Sequence, residues 1–377
     1  MAETKVSPGQ TSPNGQSTPI ELPPIAQVLE RHRGERHAVI LQDYPDPDAI
    51  ASGWAHRLIA QRYDIECAIL YSGRISHQEN LALVRLLEIQ LQRYNDEVEL
   101  DQFDGAVFVD NQGTTTLLLE PLRAAGVPPL IIVDHHESQD VIEPEFADIR
   151  RIGATATIYV GYVRDGMLQL SPERREHVRL ATALMHGILT ETGGFVRAHP
   201  EDFQAAAYLS RFHDPALLEK VMSQARSHAV MEVIQRALQD REIRRNFSIS
   251  GIGYLRAEDR DAIPQAADFL LTEENVHTAI VYGLVVGDDG EETIAGSLRT
   301  VKVTIDPDEL LKSTFGRGSR GQYFGGGKRE AGGFEIPVGF LSGSRNDDYR
   351  RLKWQVFNEQ IKQRLYDRLG LTEEDEE

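Results

Sequence analysis

Three stretches of the chain place acids and imidazoles where they could hold cations. The first is Asp43-Tyr44-Pro45-Asp46-Pro47-Asp48, in which two prolines separate three carboxylates. Proline fixes its own φ, so the acids between have few conformations, and like charges held this close repel unless a cation lies among them. The second is Asp110 in Asp110-Asn111-Gln112-Gly113, and the third is Asp134-His135-His136-Glu137. Taken singly, each has a plain structural role: Asp48 could cap the following helix, and a His pair is often a surface or core feature. Together they form a mixed carboxylate and imidazole set, which suits manganese, iron or zinc better than calcium. Four or more acids with a histidine can hold two ions about 4 Å apart, the arrangement for in-line attack on phosphorus.

Such a set needs elements that converge. Ala38 to Leu41, Ala106 to Val109 and Leu130 to Val133 are short apolar, β-branched-rich runs, each leading to an acid. Longer helical patterns alternate with them from Ile25 to about residue 210, which predicts an α/β domain with a mostly parallel sheet covered by helices. The acids then fall at the C-terminal edge, where open α/β sheets build their sites. Cys67 to Tyr71 reads as a further strand. Ser76 and Glu79 have capping-box spacing before a helix through Leu81, Val84, Leu87 and Leu91, and Ser171-Pro172 reads as the start of a helix through Leu184 and Ile188. Asp214-Pro215 opens a stretch to about Arg245 that reads as one long charged connector helix.

A second region offers different chemistry. Phe247 to Leu255, Thr278 to Val286 and Thr293 to Arg299 read as strands, the last two joined by a turn at Asp288-Asp289-Gly290. Gly325-Gly326-Gly327 would let backbone N–H groups approach an anion, with Lys328 and Arg329 adding charge and Arg299 able to fork two phosphate oxygens. Glycines needed only for a tight turn are the plainer reading of the same run. Further glycines at 316, 318, 321, 332 and 333 suggest a mobile flap, beside which Arg317, Arg320 and Tyr323 could stack on a base. Residues 347 to 368 are helical in pattern and could pack on their own domain or on a second chain, as in a homodimer.

The chain has 377 residues, 41% hydrophobic and 26% charged, with 59 acidic against 40 basic side chains and a net charge of −19. That composition excludes global disorder, and the length suggests two domains. The negative charge argues against long duplex nucleic acid as a partner, because that binding relies on basic side chains. The lone Cys67 excludes an intramolecular disulfide framework and favours a reducing compartment. The first 22 residues read as a mobile leader without the pattern of a secretory signal, and no stretch has the length and apolarity of a membrane span, so the expected location is the cytoplasm.

These residues resemble the DHH phosphoesterases. DYPDPDAIASG is similar to the family's motif I, VDNQG to motif II, VDHHES to motif III and GILTETGGF (187 to 195) to motif IV, while IGATATI (152 to 158) resembles its Thr-containing segment. GSLRT (296 to 300) and GGGKREAGGF (325 to 334) resemble the substrate-binding signature of the DHH-associated C-terminal domain. The resemblance implies two divalent ions, with manganese first, held by Asp46, Asp48, Asp110, His135, Glu191 and Gln42, with Asp110 bridging and His136 near the scissile phosphate. Gln42 stands where the family usually has His, Glu191 where it has Asp, and Lys328 where it often has His. Arg299, Gly325, Gly326, Gly327 and Lys328 would bind substrate. The implied organisation is a leader to residue 22, a catalytic parallel-sheet domain over 23–213, a helical linker over 214–246, a smaller α/β substrate-binding domain over 247–345, and a helix with an acidic tail over 346–377. The implied activity is hydrolysis of short single-stranded RNA or DNA, as an exonuclease does, or of a small nucleotide such as adenosine bisphosphate. A cyclic-dinucleotide phosphodiesterase and a nucleotide binder without efficient turnover are the alternatives.

Overall fold

The apolar runs that end in acids form adjacent parallel strands. The computed structural model describes residues 22–75, 77–95, 97–224, 226–287, 289–319, 321–328, 330–343 and 346–371. The leader up to residue 21, the TEEDEE tail, Ser76, Asp288, Arg320 and Arg329 lie outside the described residues. The chain divides into two compact units, Met1–Gln224 and Ala225–Glu377.

The first unit runs α1 (Ile25–Arg31), β1 (Arg36–Ile40), α2 (Pro47–Ala60), β2 (Glu66–Tyr71), α3 (Gln78–Leu87), β3 (Gln92–Arg93), β4 (Gly105–Val109), α4 (Leu119–Ala124), β5 (Pro129–Asp134), β6 (Phe146–Ile149), α5 (Thr155–Arg164), α6 (Arg175–Glu191), α7 (Pro200–Leu209) and α8 (Pro215–Met222). Its sheet has the order β3-β2-β1-β4-β5-β6, and every pairing is parallel. Both faces are covered, which is why the central strands are continuously apolar instead of alternating. Val39, Val107, Val109, Ile131 and Val133 join one core with α1, α2, α5 and α6, and Ala38, Ile40, Phe108 and Ile132 join the other with Leu118 and Leu122. Each of these larger side chains contributes roughly 1.5–3 kcal/mol by leaving water. The chain winds outward from β1 in both directions, so the strand order reverses between β1 and β4. A crevice opens beyond the C-terminal ends at such a point.

Two helix boundaries differ from those expected. The helix at Leu81 stops at Leu87, because Glu88 turns left-handed (φ +56°), and Leu91 lies beyond it. Ser171-Pro172 forms a turn instead of a helix start: the Ser171 carbonyl accepts from Arg174 N and its N–H donates to His177 Nδ1, so α6 begins at Arg175. The strands β3 and β6 had no legible pattern, being short and partly exposed.

The connector helix expected over 214–246 is not one helix. Residues 215–222 are α8, whose Val221 belongs to the first unit's core. Ser227 then caps a new helix by accepting from Val230 N, giving α9 (His228–Asp240), and β7 (Arg241–Arg244) follows. The second unit continues through β8 (Phe247–Arg256), α10 (Ala262–Leu270), β9 (Thr278–Val286), β10 (Glu292–Thr300), α11 (Pro307–Phe315), β11 (Gly325–Lys328), β12 (Ala331–Pro337) and α12 (Asp347–Leu369). Its sheet is mixed, ordered β11-β12-β10-β9-β8-β7, with α9 and α10 on one face and α11 and α12 on the other. The C-terminal helix therefore packs on its own unit, through Ile361, Leu365 and Tyr366. Part of the glycine segment expected as a flap is a paired hairpin, β11 against β12. No described helix is long and apolar enough to cross a membrane.

Candidate metal centre

Motif by motif, the crevice between β1 and β4 gathers the acids. Beyond β1, Asp46 is the N-cap of α2: its Oδ1 accepts from Ala49 N at 2.9 Å, Pro47 occupies the first helical position, and Gln42 Nε2 donates to its Oδ2 at 2.8 Å. Two residues on, Asp48 is fully buried. Its two oxygens accept from Thr155 N and Ala156 N, each at 2.7 Å, so it also secures the start of α5, whose own N-cap, Ala154, has no side-chain acceptor. Gly187 of α6 lets that helix pass this turn, since a Cβ there would lie 3.1 Å from Asp48 Cα. Asp43 faces elsewhere, accepting from Leu117 N at 2.9 Å and from the Ser72 hydroxyl.

Asp110, directly after β4, is in the left-handed region, at φ +58°. That conformation costs a non-glycine residue roughly 1–2 kcal/mol, though Asp tolerates it better than most, and it persists where the surroundings impose it. Here Thr155 Oγ1 donates to Asp110 Oδ1 at 2.8 Å. The two residues after it are scaffold. Asn111 Nδ2 donates to the carbonyls of Ile40 and Val109, tying β1 to β4. Gln112 Nε2 donates to Asp134 Oδ2 and to the Glu137 carbonyl, and its Oε1 accepts from Gln139 N, tying β4 to the loop after β5. Sequence reasoning assigned no role to Asn111, Gln112 or Thr155; amides directly after a strand-end acid were the available signal.

The histidines complete the cluster. His135 Nδ1 lies 3.1 Å from the Ile152 carbonyl, its hydrogen-bond acceptor, and this leaves Nε2 as the lone-pair nitrogen. That Nε2 is buried without a hydrogen-bond partner, 3.6 Å from Asp110 Oδ1 and 3.8 Å from Glu191 Oε1. His136 stands 2.8 Å from Asp134 Oδ1 through its own Nδ1 and 3.9 Å from Asp110 Oδ1. Ligand atoms of Asp110, His135 and His136 all lie within 4.8 Å of one another.

The electrostatics match a cation-shaped gap. Burial, then the charge of Asp46, pushes the carboxyl groups of Asp48 and Asp110 well above the usual carboxylate range. Asp134 goes the other way: burial raises it, but its hydrogen bonds and the charge of His136 outweigh that and hold it low. Burial, then His136, lowers His135, so its imidazole is neutral and able to ligate. A buried imidazole with an unpartnered nitrogen facing the carboxyl groups of Asp110 and Glu191 fits a divalent ion. Asp110 and Glu191 converge on that nitrogen, with Asp46 and Asp48 close enough to perturb Asp110.

In the second unit, Arg299, Ala331 and Lys328 pair in register across β10, β12 and β11 and so share one face. Ser297, Gly333 and Gly326 form the next row on that face, a flat floor beside two cations. Arg299 Nε donates to Asp268 Oδ1 at 2.7 Å and its Nη1 to Ser297 Oγ at 2.8 Å. Gly327 N already donates to Asp308 Oδ1 at 3.1 Å. Several of the glycines also serve packing: a Cβ on Gly325 would lie 2.9 Å from Leu311 Cβ, and one on Gly332 2.7 Å from Leu311 Cδ1. Arg317 lies over the Tyr323 ring, 4.1 Å from its centroid.

No protein-family model matches the chain. It is 33% identical over 353 residues to the uncharacterized protein MJ1633 of Methanocaldococcus jannaschii, covering 92% of this chain and 67% of that one. An exopolyphosphatase-related protein from Bacteroides fragilis superposes with a TM-score of 0.65 at 16% identity, over 92% of this chain and 96% of its own. RecJ from Thermus thermophilus in complex with Mn2+ superposes with a TM-score of 0.48 at 14% identity, over 93% of this chain and 56% of its own. The chain belongs to the same family as the Methanocaldococcus protein, and its fold, with Asp46, Asp48, Asp110 and Asp134-His135-His136 ordered along one sheet edge, is that of the exopolyphosphatase-related protein.

Proposed function

We propose that the protein is a divalent-metal-dependent phosphoesterase that hydrolyses short single-stranded oligonucleotides or small phosphorylated nucleotides. The observation that carries this is His135 Nε2, buried and unpartnered between Asp110 and Glu191 while Nδ1 is held by Ile152. Asp46, Asp48, Asp110, His135 and Glu191 would hold two ions, manganese first, and bound ions lower the pKa of water and neutralise charge developing on phosphorus. Thr155 keeps Asp110 turned inward, and Gln112 with His136 keeps Asp134 ionised. His136, 3.9 Å from Asp110 Oδ1 and 38% exposed, would meet a phosphate oxygen. The Arg299 and Lys328 face of the second unit has the chemistry to hold a terminal phosphate or nucleotide. Protein loaded with manganese should release mononucleotides from labelled di- to pentaribonucleotides, or phosphate from adenosine bisphosphate. If both stay intact while a cyclic dinucleotide is opened, the cyclic-dinucleotide reading replaces this one, and if all three survive the enzyme reading is wrong.

The reading of a nucleotide binder without turnover has one observation in its favour. Gln42 donates to Asp46 where the family usually supplies an imidazole ligand, so one ion position is built from weaker donors. Two manganese ions per chain at the centre, counted at saturation, favour the enzyme; one or none favours the binder.

A further inference from the structure

The opposite edge of the same sheet carries a second set of ligand-type side chains. His32 follows α1, Gly34 turns left-handed at φ +84°, and Glu35 N donates to the His32 carbonyl at 3.2 Å, so the chain doubles back tightly before β1. Glu35 and His37 are two residues apart at the start of β1 and therefore point to one face. The result is a convergence within six residues: Glu35 Oε2 lies 2.8 Å from His32 Nδ1 and 3.1 Å from His37 Nε2. Ligand atoms of all three lie within 4.8 Å of one another. Glu145, just before β6, reaches the far nitrogen of the His32 ring, its Oε2 2.8 Å from Nε2.

We propose that His32 Nδ1, Glu35 Oε2 and His37 Nε2 form a divalent-metal site of zinc type, with Glu145 orienting the His32 ring. Two imidazoles and a carboxylate are a donor set zinc favours, with water completing a tetrahedron. Tetrahedral ligands on zinc stand roughly 3.3 Å apart, so the two contacts of Glu35 Oε2 need to open by only a few tenths of an ångström, and the two imidazole nitrogens lie within 4.8 Å of each other. A ligating imidazole whose other nitrogen donates to a carboxylate is the usual outer-shell support for such an ion, and Glu145 supplies it. His37 is fully buried and its Nδ1 has no hydrogen-bond partner among the described residues, while its Nε2 faces Glu35. His32 and Glu35 remain partly exposed, which leaves an entry path. The site stands about 16 Å from the phosphoesterase centre, the length of the five-residue β1. It is independent of the phosphoesterase reading. Without an ion, the same side chains would form an ion triad in which His32 links Glu35 and Glu145.

Cobalt tests this, because its tetrahedral complexes absorb visibly. Asp110→Asn protein stripped of metal should bind one equivalent of Co2+ with a tetrahedral spectrum that Zn2+ displaces. His37→Gln in that background should lose the spectrum or weaken binding at least tenfold, and Glu35→Gln, on the exposed turn, gives the same readout if the His37 variant fails to fold. Glu145→Gln should weaken cobalt binding by about 10- to 100-fold without abolishing the spectrum. An unchanged spectrum and stoichiometry in the His37 and Glu35 variants would overturn the site, as would the absence of any tetrahedral cobalt in the Asp110→Asn protein, which leaves an ion triad only.

Discussion

At its C-terminal end β1 leads to Gln42, Asp46 and Asp48, in a crevice where acids from two strand ends and a helix start outnumber imidazoles; at its N-terminal end Glu35 and His37 meet His32 in a turn where imidazoles outnumber acids. The acids at the heart of the first cluster are deeply buried, Asp48 and Asp110 at 0% and 3% exposure, while Glu35, the acid between the imidazoles at the other edge, keeps 33% of its side chain exposed. Burial is what separates them. Charges packed out of water are costly without a counter-ion, and at the C-terminal edge burial pushes the carboxyl groups of Asp48 and Asp110 up. The N-terminal edge pairs its carboxylates with both imidazoles by hydrogen bonds and leaves His37 Nδ1 without one. A centre built from distant segments can be preorganised by the whole fold, whereas one built from six residues depends on a single turn.

The largest expected effect separates the edges outright. Asp110→Asn should lower turnover by roughly 10³-fold, the several kcal/mol that metal stabilisation supplies, and leave zinc-type binding at His32 and His37 untouched. Loss of both together, assayed by cobalt spectroscopy beside activity, would mean the edges are not independent. Next, Thr155→Val removes the Oγ1 donor to Asp110 at nearly constant volume and should weaken manganese affinity about 10- to 100-fold, read by metal titration. An unchanged affinity would show that backbone alone holds Asp110 inward. Gln42→His restores an imidazole beside Asp46 and should tighten manganese binding by roughly tenfold, with a rise in turnover at limiting metal.

The pH dependence has a defined sign. Asp48 and Asp110 have folded-state pKa values raised by burial and by neighbouring acids, so the folded protein keeps protons that the unfolded chain releases. Metal-free protein should therefore lose stability as pH rises above about 4, by up to about 1.4 kcal/mol per pH unit for each carboxylate. Manganese should flatten that slope, and Asp110→Asn should remove one carboxylate's share; a metal-free melting temperature that climbs with pH over this range contradicts the reading. At the other edge burial lowers His32, but Glu145 and Glu35 raise it further, so its contribution is present below pH 6.5 and fades as pH rises through its raised pKa. Partial exposure makes that term minor.

Much of the first unit was legible because buried parallel strands must be continuously apolar. Ala106 to Val109 could be read as a strand before Asp110, and the Asp-His-His after Leu130 to Val133 could be placed on the same edge. The helix that was expected to join the units was not legible, since its break rests on Ser227 capping a new start, a signal diluted among other polar residues. Nor was the N-terminal edge: His32 and His37 look like ordinary polar residues until Gly34 folds them onto Glu35. The second unit's glycines carried two meanings, and the structure shows that close packing against Leu311 and an open floor beside Arg299 are both served.

What the sequence determined by itself is the order of donors and the periodicity of the strands, both properties of residue type and spacing. It therefore determined that carboxylates and imidazoles would arrive together at one edge. What only the tertiary structure decided is which atoms remain available there: Asp48 spends an acceptor position of each oxygen on the start of α5, Asp43 turns away to residues 72 and 117, and His135 keeps Nε2 unpartnered. Those outcomes depend on hydrogen bonds between segments up to about a hundred residues apart, as from Asp48 to Ala156, which no local pattern encodes.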